Sequence, residues 1–517
     1  MSSRHSAFSE LGIDESIDAL TLQIQQLYLE DEIPWIVGYS GGKDSTATLQ
    51  LVWDAIVDLP PKDRHKTIHI ISTDTLVENP VVALWVNRSL QLMQDAVDKT
   101  SLPFQPHRLT PEVQNSFWVN LVGKGYPAPR PKFRWCTERL KIKPANKFIS
   151  DIVQTNGEAI LVLGTRKAES ANRHATMNKH ENSSRSLLSK NADSSLDRAW
   201  IYPPVAEWSN DDVWEYLMLY KNPWAHSNEE LFTMYRGATQ DNECPLVVDS
   251  STPSCGDSRF GCYVCPLVDQ DRSMMAMIQN DEDKQWMKPL LDIRNKWLDR
   301  DDRTRREHRR MNGSLMTYSY TKKEDGKDVI HQQLVHGPYK QDYRLILLEK
   351  ILTAQVEIRN TGPDVVNDIE LITIDELEEI RRIWVMEKHE IEDALPGIYE
   401  KAVGETYPVK NHDETQIFKP DDLSILKNIC DEKGDDDGIQ YKVIRELLHL
   451  EQQYRTMARR SGLYNAIGKA LNHGAFSSVK EAEEFAIRRD QAIKKVKDEE
   501  LKSVDESDII KEVSNVT

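Results

Sequence analysis

The 517-residue chain has no run of roughly 20 uninterrupted apolar residues, the length a membrane-spanning helix needs. Its opening, MSSRHSAFSELGIDES, lacks the apolar core of a secretory signal. These absences argue against an integral membrane or exported protein and set the expectation of a cytoplasmic one. Cysteine is scarce, six in all, too few for a disulfide scaffold in a chain this long. Positive charge is in deficit: 66 Lys and Arg face 84 Asp and Glu, for a net charge of −18. Most of the excess acid lies in residues 361–517, with 22 basic and 35 acidic residues. Such a chain gains little from non-specific attraction to phosphate backbones, so nucleic-acid contact needs a local basic surface or a partner. An apolar content of 39% excludes wholesale disorder, and the length allows two to four domains.

What is present is patterned. Residues 15–30 read as an amphipathic helix, Trp35–Tyr39 as a short buried strand, Asp44–Val57 as a helix and Thr67–Ser72 as a second strand. Pro80 suits the first turn of a helix running to about Val97. Ala159–Gly164 is almost wholly apolar, as a parallel strand buried on both faces should be. Alternating strands and helices predict an α/β fold with a parallel sheet. The polar, Ser/Asn-rich stretch 174–199 reads as a mobile loop beside the site, and 200–240 as helical. From 273 the pattern is mainly helical, interrupted at 312–340 by a candidate hairpin. Residues 431–438, DEKGDDDG, form an acidic turn or linker. We divide the chain into 1–240, a Cys-rich loop 241–272, a helical extension 273–430, and a linker with helical tail, 431–517.

Ser40-Gly41-Gly42-Lys43-Asp44-Ser45-Thr46 sits between the first strand and its helix. Glycines let backbone amides approach an anion, and the helix N-terminus adds partial positive charge. Lys43 can neutralise phosphate; Ser40, Ser45 and Thr46 can donate to it. A Walker A loop is excluded, since Val37 stands where its first glycine belongs and Asp44 follows the lysine. Asp74, closing the second strand, suits a ribose hydroxyl or a metal, or equally a helix cap; Glu78 and Asn79 are weaker candidates. Four of the six cysteines fall together, Cys244, Cys255, Cys262 and Cys265, spaced C-x₁₀-C-x₆-C-x₂-C. Four thiolates with one tight pair suit a [4Fe–4S] cluster or a structural zinc. Cys430 reads as an ordinary buried thiol.

The segment from Ser40 to Ser45 resembles the SGGKDS loop of PP-loop ATP pyrophosphatases, which cleave ATP between its α- and β-phosphates. Gly164-Thr165-Arg166-x-x-Glu169-Ser170-x-x-Arg173, Cys136-Thr137-x-x-Leu140-Lys141-x-x-Pro144 and Pro204-x-x-x-Trp208-x-x-x-Asp212-Val213-Trp214 resemble segments of PAPS reductase-like enzymes. The resemblance spans residues 15–270. It implies an adenine nucleotide alpha hydrolase-like fold binding ATP, with Mg²⁺, through Ser40, Gly41, Gly42, Lys43, Asp44, Ser45, Thr46, Asp74 and Gly164. It implies catalytic roles for Lys43, Asp44, Cys136, Arg166 and Arg173, the arginines facing phosphate or sulfate, and it favours iron–sulfur over zinc. Either Cys244, Cys255, Cys262 and Cys265 hold the cluster and Cys136 is a free thiol carrying persulfide, or Cys136 joins Cys262, Cys265 and one of Cys244 and Cys255 as a ligand. The C-terminal Cys-Gly nucleophile of sulfonucleotide reductases has no counterpart.

The loop, the four cysteines and the helical extension together resemble the DndC family, the sulfur-transfer component of bacterial DNA phosphorothioation, with SspD proteins a close second. That resemblance implies DNA as acceptor, a cysteine desulfurase as sulfur donor and DndD/DndE-type partner subunits. A tRNA thiolase, a sulfonucleotide reductase and a nucleotide-gated iron–sulfur scaffold are the alternatives. The basic stretch 294–310, read as a helix presenting Arg303, Arg306 and Arg310, is the candidate DNA contact, or a solvated, internally paired helix.

Overall fold

The structure, a computed structural model, describes residues 6–514 except 132, 170–173, 176, 178–184, 186, 192–193, 239–259, 410–419, 456 and 458; at 194, 420 and 497–514 only the backbone is described. The chain divides into two compact units. One comprises 1–117, 128–300 and 354–371, the other 118–127, 301–353 and 372–517.

The first unit is a six-stranded, mostly parallel sheet flanked by helices. Its elements in order are α1 (Ile13–Leu29), β1 (Trp35–Gly38), α2 (Lys43–Val57), β2 (Ile68–Thr73), α3 (Pro80–Thr100), β3 (Phe104–Leu109), α4 (Lys143–Asn156), β4 (Ala159–Val162), β5 (Ser189–Lys190), β6 (Ala199–Tyr202), α5 (Asn210–Leu219), α6 (Asn228–Gly237) and α7 (Arg272–Asn280). The strand order is β3-β2-β1-β4-β6-β5. Order reverses between β1 and β4, which pair in parallel with Trp35 opposite Ile160. Crossovers leaving such a switch point open a crevice at the carboxyl ends of the strands. β4 is buried at all four positions, as its sequence predicts. Eleven of the fifteen residues of α2 are buried, and Trp53 on it stacks against Phe104 at 4.2 Å.

Three strands depart from the sequence reading. β3 contains Pro106, which cannot donate to a ladder, and it survives because β3 is an edge strand. β6 and its short antiparallel partner β5 fall where loop and helix were expected; four half-apolar residues carry too little periodicity to read. Part of the expected mobile loop is therefore sheet edge, and other parts lie outside the described residues.

The second unit contains a hairpin, β7 (Thr317–Glu324) and β8 (Lys327–Leu334), in the expected place, followed by α8 (Gln341–Thr361, whose last turns belong to the first unit), α9 (Ile374–Arg382), α10 (Leu395–Val403), α11 (Pro420–Glu432), α12 (Ile439–Arg455), α13 (Leu463–His473) and α14 (Val479–Ser514). The hairpin packs Leu315 and Leu334 on Ala482 and Ala486 of α14. Residues 118–127 bury Trp118, Val119 and Leu121, and Trp384 Nε1 donates to the Val122 carbonyl at 3.0 Å. No helix among the described residues is long and apolar enough to cross a membrane.

The helix expected over 294–310 does not form. A wide turn ends at Trp297, and only Arg303–Arg305 makes a further short turn. Arg306 donates to the Gly337 carbonyl at 2.8 Å and Arg303 to His336 at 2.9 Å. These arginines brace local loops: backbone carbonyls of Gly337 and His336 claim the donors of Arg306, and the side chains of His336 and Gln333 claim those of Arg303.

Ser209 and Asp212 form a capping box at α5, and Asp212 also accepts from Ser6 Oγ at 2.6 Å and Ala7 N at 3.0 Å. Burial opposes ionisation of Asp212, but these donors outweigh it and hold its pKa below the ordinary value. Its stabilising contribution is thus full above the unfolded carboxylate value and lost as pH falls through the depressed one. Asp212→Asn should cost about 1–3 kcal/mol at pH 7, with the gap to wild type closing as pH drops below about 4. Paired urea melts across pH check this.

Candidate functional site

The switch point carries the glycine-rich loop. Gly41 has φ +72°, and a Cβ there would lie 2.4 Å from Val86 of α3, so both conformation and space require glycine. Trp85 Nε1 of α3 donates to the Gly41 carbonyl at 3.2 Å. Gly42 is the N-cap of α2, in extended conformation, and no side chain caps the helix. Its first-turn amides beyond Lys43 N, which meets Tyr235 Oη at 3.4 Å, are thus left for an anion. Ser45 Oγ braces the loop, 3.0 Å from the Gly42 carbonyl and 3.1 Å from Ser40 Oγ. Thr46 is only 1% exposed and faces the core, not the open side of the loop.

Asp44 ties this loop to the one after β4. One carboxylate oxygen meets Lys43 Nζ at 3.0 Å, the other Arg166 Nε at 2.7 Å. Arg166 is 3% exposed and also donates to the Trp208 carbonyl at 3.1 Å. It holds Asp44 and does not face the open loop, as the sequence reading had expected. A Cβ on Gly164 would lie 2.7 Å from the Asp44 carbonyl oxygen, so glycine is what permits the two backbones to touch.

Asp74 follows β2 with both oxygens engaged. Oδ1 accepts from Leu76 N at 2.7 Å, and Oδ2 accepts from Arg108 Nε at 3.0 Å. The cap of α3 is Asn79, whose side chain accepts from Val81 N at 3.0 Å. Beside Asp74, a 530 Å³ cavity carries Arg108, Arg139, Lys143 and Lys147 against Glu112 and Asp151.

The described cysteines of the site gather at the start of α3. Cys262 bridges Glu78, Tyr263 N donates to the Val77 carbonyl at 3.0 Å, and Thr75 Oγ1 lies 3.6 Å from Cys262 Sγ. Burial pushes the Cys262 thiol up to about 11, though Lys141 opposes this. Cys136 is raised by burial and by the neighbouring Cys265. Burial alone would lower Lys141, but Cys262, Glu78 and Cys136 outweigh it and hold the ammonium above its ordinary value. Cys136 is therefore electrostatic neighbour to the C-x-x-C pair, not remote from it. Among the described residues no group of three or more is spaced to hold a metal ion. Cys244, Cys255, Ser170 and Arg173 lie outside the described residues. Thiols suit a thiophilic metal or cluster by their chemistry, but the three described at the site, Cys136, Cys262 and Cys265, are not grouped to hold one by themselves.

Sequence reasoning missed Trp85 and Tyr235. Tyr235 Oη lies 3.4 Å from Lys43 N, and its ring lies 5.8 Å from the Lys43 ammonium. Burial and Asp44 raise its pKa, keeping the phenol protonated. Nothing in an aromatic-rich helical stretch singles it out. Lys141 stood in the Cys136 segment without an assigned role.

Residues 34–226 match the phosphoadenosine phosphosulfate reductase domain. That match to a PAPS reductase-like domain spans 193 of the 517 residues, less than half of the chain. The chain is 26% identical over 265 residues to an uncharacterised protein of Methanocaldococcus jannaschii, covering 51% of this chain and 42% of that one. It therefore spans less than half the length of that relative. Solved structures it resembles include the Candida auris phosphoadenylyl-sulfate reductase in a phosphate complex, at 14% identity, with 42% of this chain and 91% of that one covered, TM-score 0.25. Another is the Methanococcus maripaludis U34-tRNA thiolase NcsA with its [4Fe-4S] cluster, at 15% identity, with 44% and 75% covered, TM-score 0.27.

Gly164→Ala should destabilise the chain by about 1–3 kcal/mol through overpacking and weaken ATP binding at least about tenfold. Gly237→Ala, where no atom lies within 4 Å of the new Cβ, should stay within about 1 kcal/mol of wild type. Denaturation midpoints and ATP titration of both variants check the pair.

Proposed function

We propose that this chain activates a phosphate oxygen of the DNA backbone with ATP and replaces that oxygen by sulfur. The observation that supports the reading is the joint placement of loop and thiols on α3. Asn79 caps that helix beside the Cys262 turn, while Trp85 and Val86 meet Gly41. Six or seven residues at about 1.5 Å rise put these contacts roughly 10 Å apart along the helix. ATP chemistry and sulfur chemistry can then share one crevice.

In this reading the DNA oxygen attacks the α-phosphate of ATP and pyrophosphate departs. The amides at the start of α2 and the Lys43 ammonium stabilise the departing charge. Asp44, held by Arg166, keeps Lys43 oriented; Arg108, Arg139, Lys143 and Lys147 offer cationic contacts for the acceptor strand. Persulfide sulfur, drawn from a cysteine desulfurase, then attacks the activated phosphorus and displaces AMP, and a second thiol cleaves the resulting S–S bond, leaving the phosphorothioate and a disulfide that an external thiol reductant returns to thiols. Cys262 and Cys265, with Cys244 and Cys255 or with Cys136 and one of those two, are the residues that would hold a [4Fe–4S] cluster, which would supply a thiophilic centre for sulfur. ATP would bind with Mg²⁺, and DndD/DndE-type subunits are the partners this reading requires.

Mass spectrometry of nuclease-digested DNA and tRNA from cells with and without the gene tests the assignment. Sulfur-linked dinucleotides that vanish from DNA on deletion are the expected result. Loss of a thiolated tRNA base instead, or no change in either fraction, overturns it. Lys43→Ala should lower pyrophosphate release on the order of 10²-fold and abolish the DNA sulfur. Cys136→Ser in purified protein should lower iron content together with Cys262→Ser if both are ligands. If Cys136 carries persulfide, it should leave iron unchanged.

A further inference from the structure

The second unit holds a cavity of 290 Å³ far richer in cations than the acidic chain around it. One wall is the segment His308-Arg309-Arg310. It is fixed to the strand opposite by Glu307 N to the Pro338 carbonyl, 2.8 Å, and Gly337 N to the Glu307 carbonyl, 2.7 Å. A Cβ on Gly337 would lie 1.6 Å from the Arg309 carbonyl oxygen, so the wall is set by a contact only glycine allows. The facing wall presents Lys388.

The carboxylates of this cavity already have partners. Glu307 is held by Lys442 at 2.7 Å, Glu387 by Arg382 at 2.8 Å and Glu446 by His473 at 3.0 Å, and Glu390 pairs through one oxygen with buried Arg344, its other oxygen having no hydrogen-bond partner. Among the described residues Arg309, Arg310 and Lys388 pair with no carboxylate. The Arg309 guanidinium donates only to carbonyls, those of Gly313 at 3.0 Å and Asn472 at 3.1 Å, and packs over the Phe476 ring. Its Nε, His308 Nε2 and Arg344 Nη1 are buried with no hydrogen-bond partner. Arg344 is 2% exposed. Burial lowers Arg309, and burial with Arg344 lowers Lys388 to about 8 against the pull of Glu390, Glu307 and Glu387. Cations withdrawn from water without a counter-charge are costly unless an anion completes the site.

We infer that this cavity is a binding site for a small phosphorylated ligand, with the phosphoryl group held by Arg309, Arg310, Lys388 and His308. Guanidinium forks and an ammonium suit a dianionic tetrahedral oxyanion. The volume is about ten waters' share at roughly 30 Å³ each, more than a single phosphate fills, and lies at the lower edge of small-ligand pockets. The site belongs to the second unit and uses none of the residues of the glycine-rich loop, so it stands whether or not the proposed sulfur transfer does.

Calorimetric titration of the full-length chain with inorganic phosphate, and separately with AMP, tests this. The expected result is saturable binding that Lys388→Met or Arg309→Gln weakens at least tenfold and Lys43→Ala leaves in place. AMP binding tighter than phosphate with the same dependence identifies a phosphomonoester; equal affinity identifies free phosphate. Lys388→Met should also raise the melting temperature of the unliganded chain and remove the phosphate-dependent increment, because it deletes an uncompensated charge at nearly constant volume. No saturable binding up to on the order of 10 mM, or affinities unchanged in both variants, overturns the inference.

Discussion

The contact between Gly164 and the Asp44 carbonyl is the constraint on which the first unit turns. It joins the two loops that leave the switch point, one after β1 and one after β4, at backbone-to-backbone distance. Arg166 then bridges the same pair of loops through the Asp44 carboxylate. A side chain at 164 would part the loops, withdraw Asp44 from Arg166 and free Lys43. The orientation of the amides at the start of α2 thus rests on a missing methyl group and one ion pair, between buried Arg166 and half-buried Asp44. Because burying either charge alone is costly, the pair is kept together by necessity as much as by attraction.

α3 extends that order to the thiols. Its capped start lies against the Cys262 turn, and its second turn closes over Gly41. Cysteine ligands on loops are positioned only as well as the scaffold beneath them. Here the scaffold is a helix whose other contact is the nucleotide loop itself. Lys141 adds a positive charge beside Cys262 that opposes, without overcoming, the burial that raises this thiol.

Much of this was legible before any coordinates. The glycine-rich loop, the flanking strand and helix, the all-apolar β4 and the hairpin at 312–340 each carry a strong local signal, and each forms where expected. β3 was hidden by Pro106, which only an edge position excuses, and β5 and β6 were too short to show a period. The helix expected over 294–310 failed for a different reason. Charge spacing fits a helix there, but tertiary carbonyls at Gly337 and near Cys265 offer the arginines better partners. Within the site, residue types were readable and directions were not. Thr46 and Arg166 sit at the right positions in the chain, yet one faces the core and the other grips Asp44. No pattern in a single sequence reveals which way a side chain turns.

The chain's path also bears on how the protein is made. Residues 118–127 leave the first unit to join the second, and residues 354–371 return to complete the first. Trp384, which seals Val122, lies 262 residues further along the chain. At about 5–20 residues per second, the ribosome takes roughly 13–50 s to supply it. During that interval Trp118, Val119 and Leu121 wait without their cover, and the first unit waits for its last helical turns. Neither unit can be finished before the other is well advanced. Nascent chains stalled before residue 371 would leave both cores open, and synthesis itself becomes the interval in which this protein most needs a chaperone.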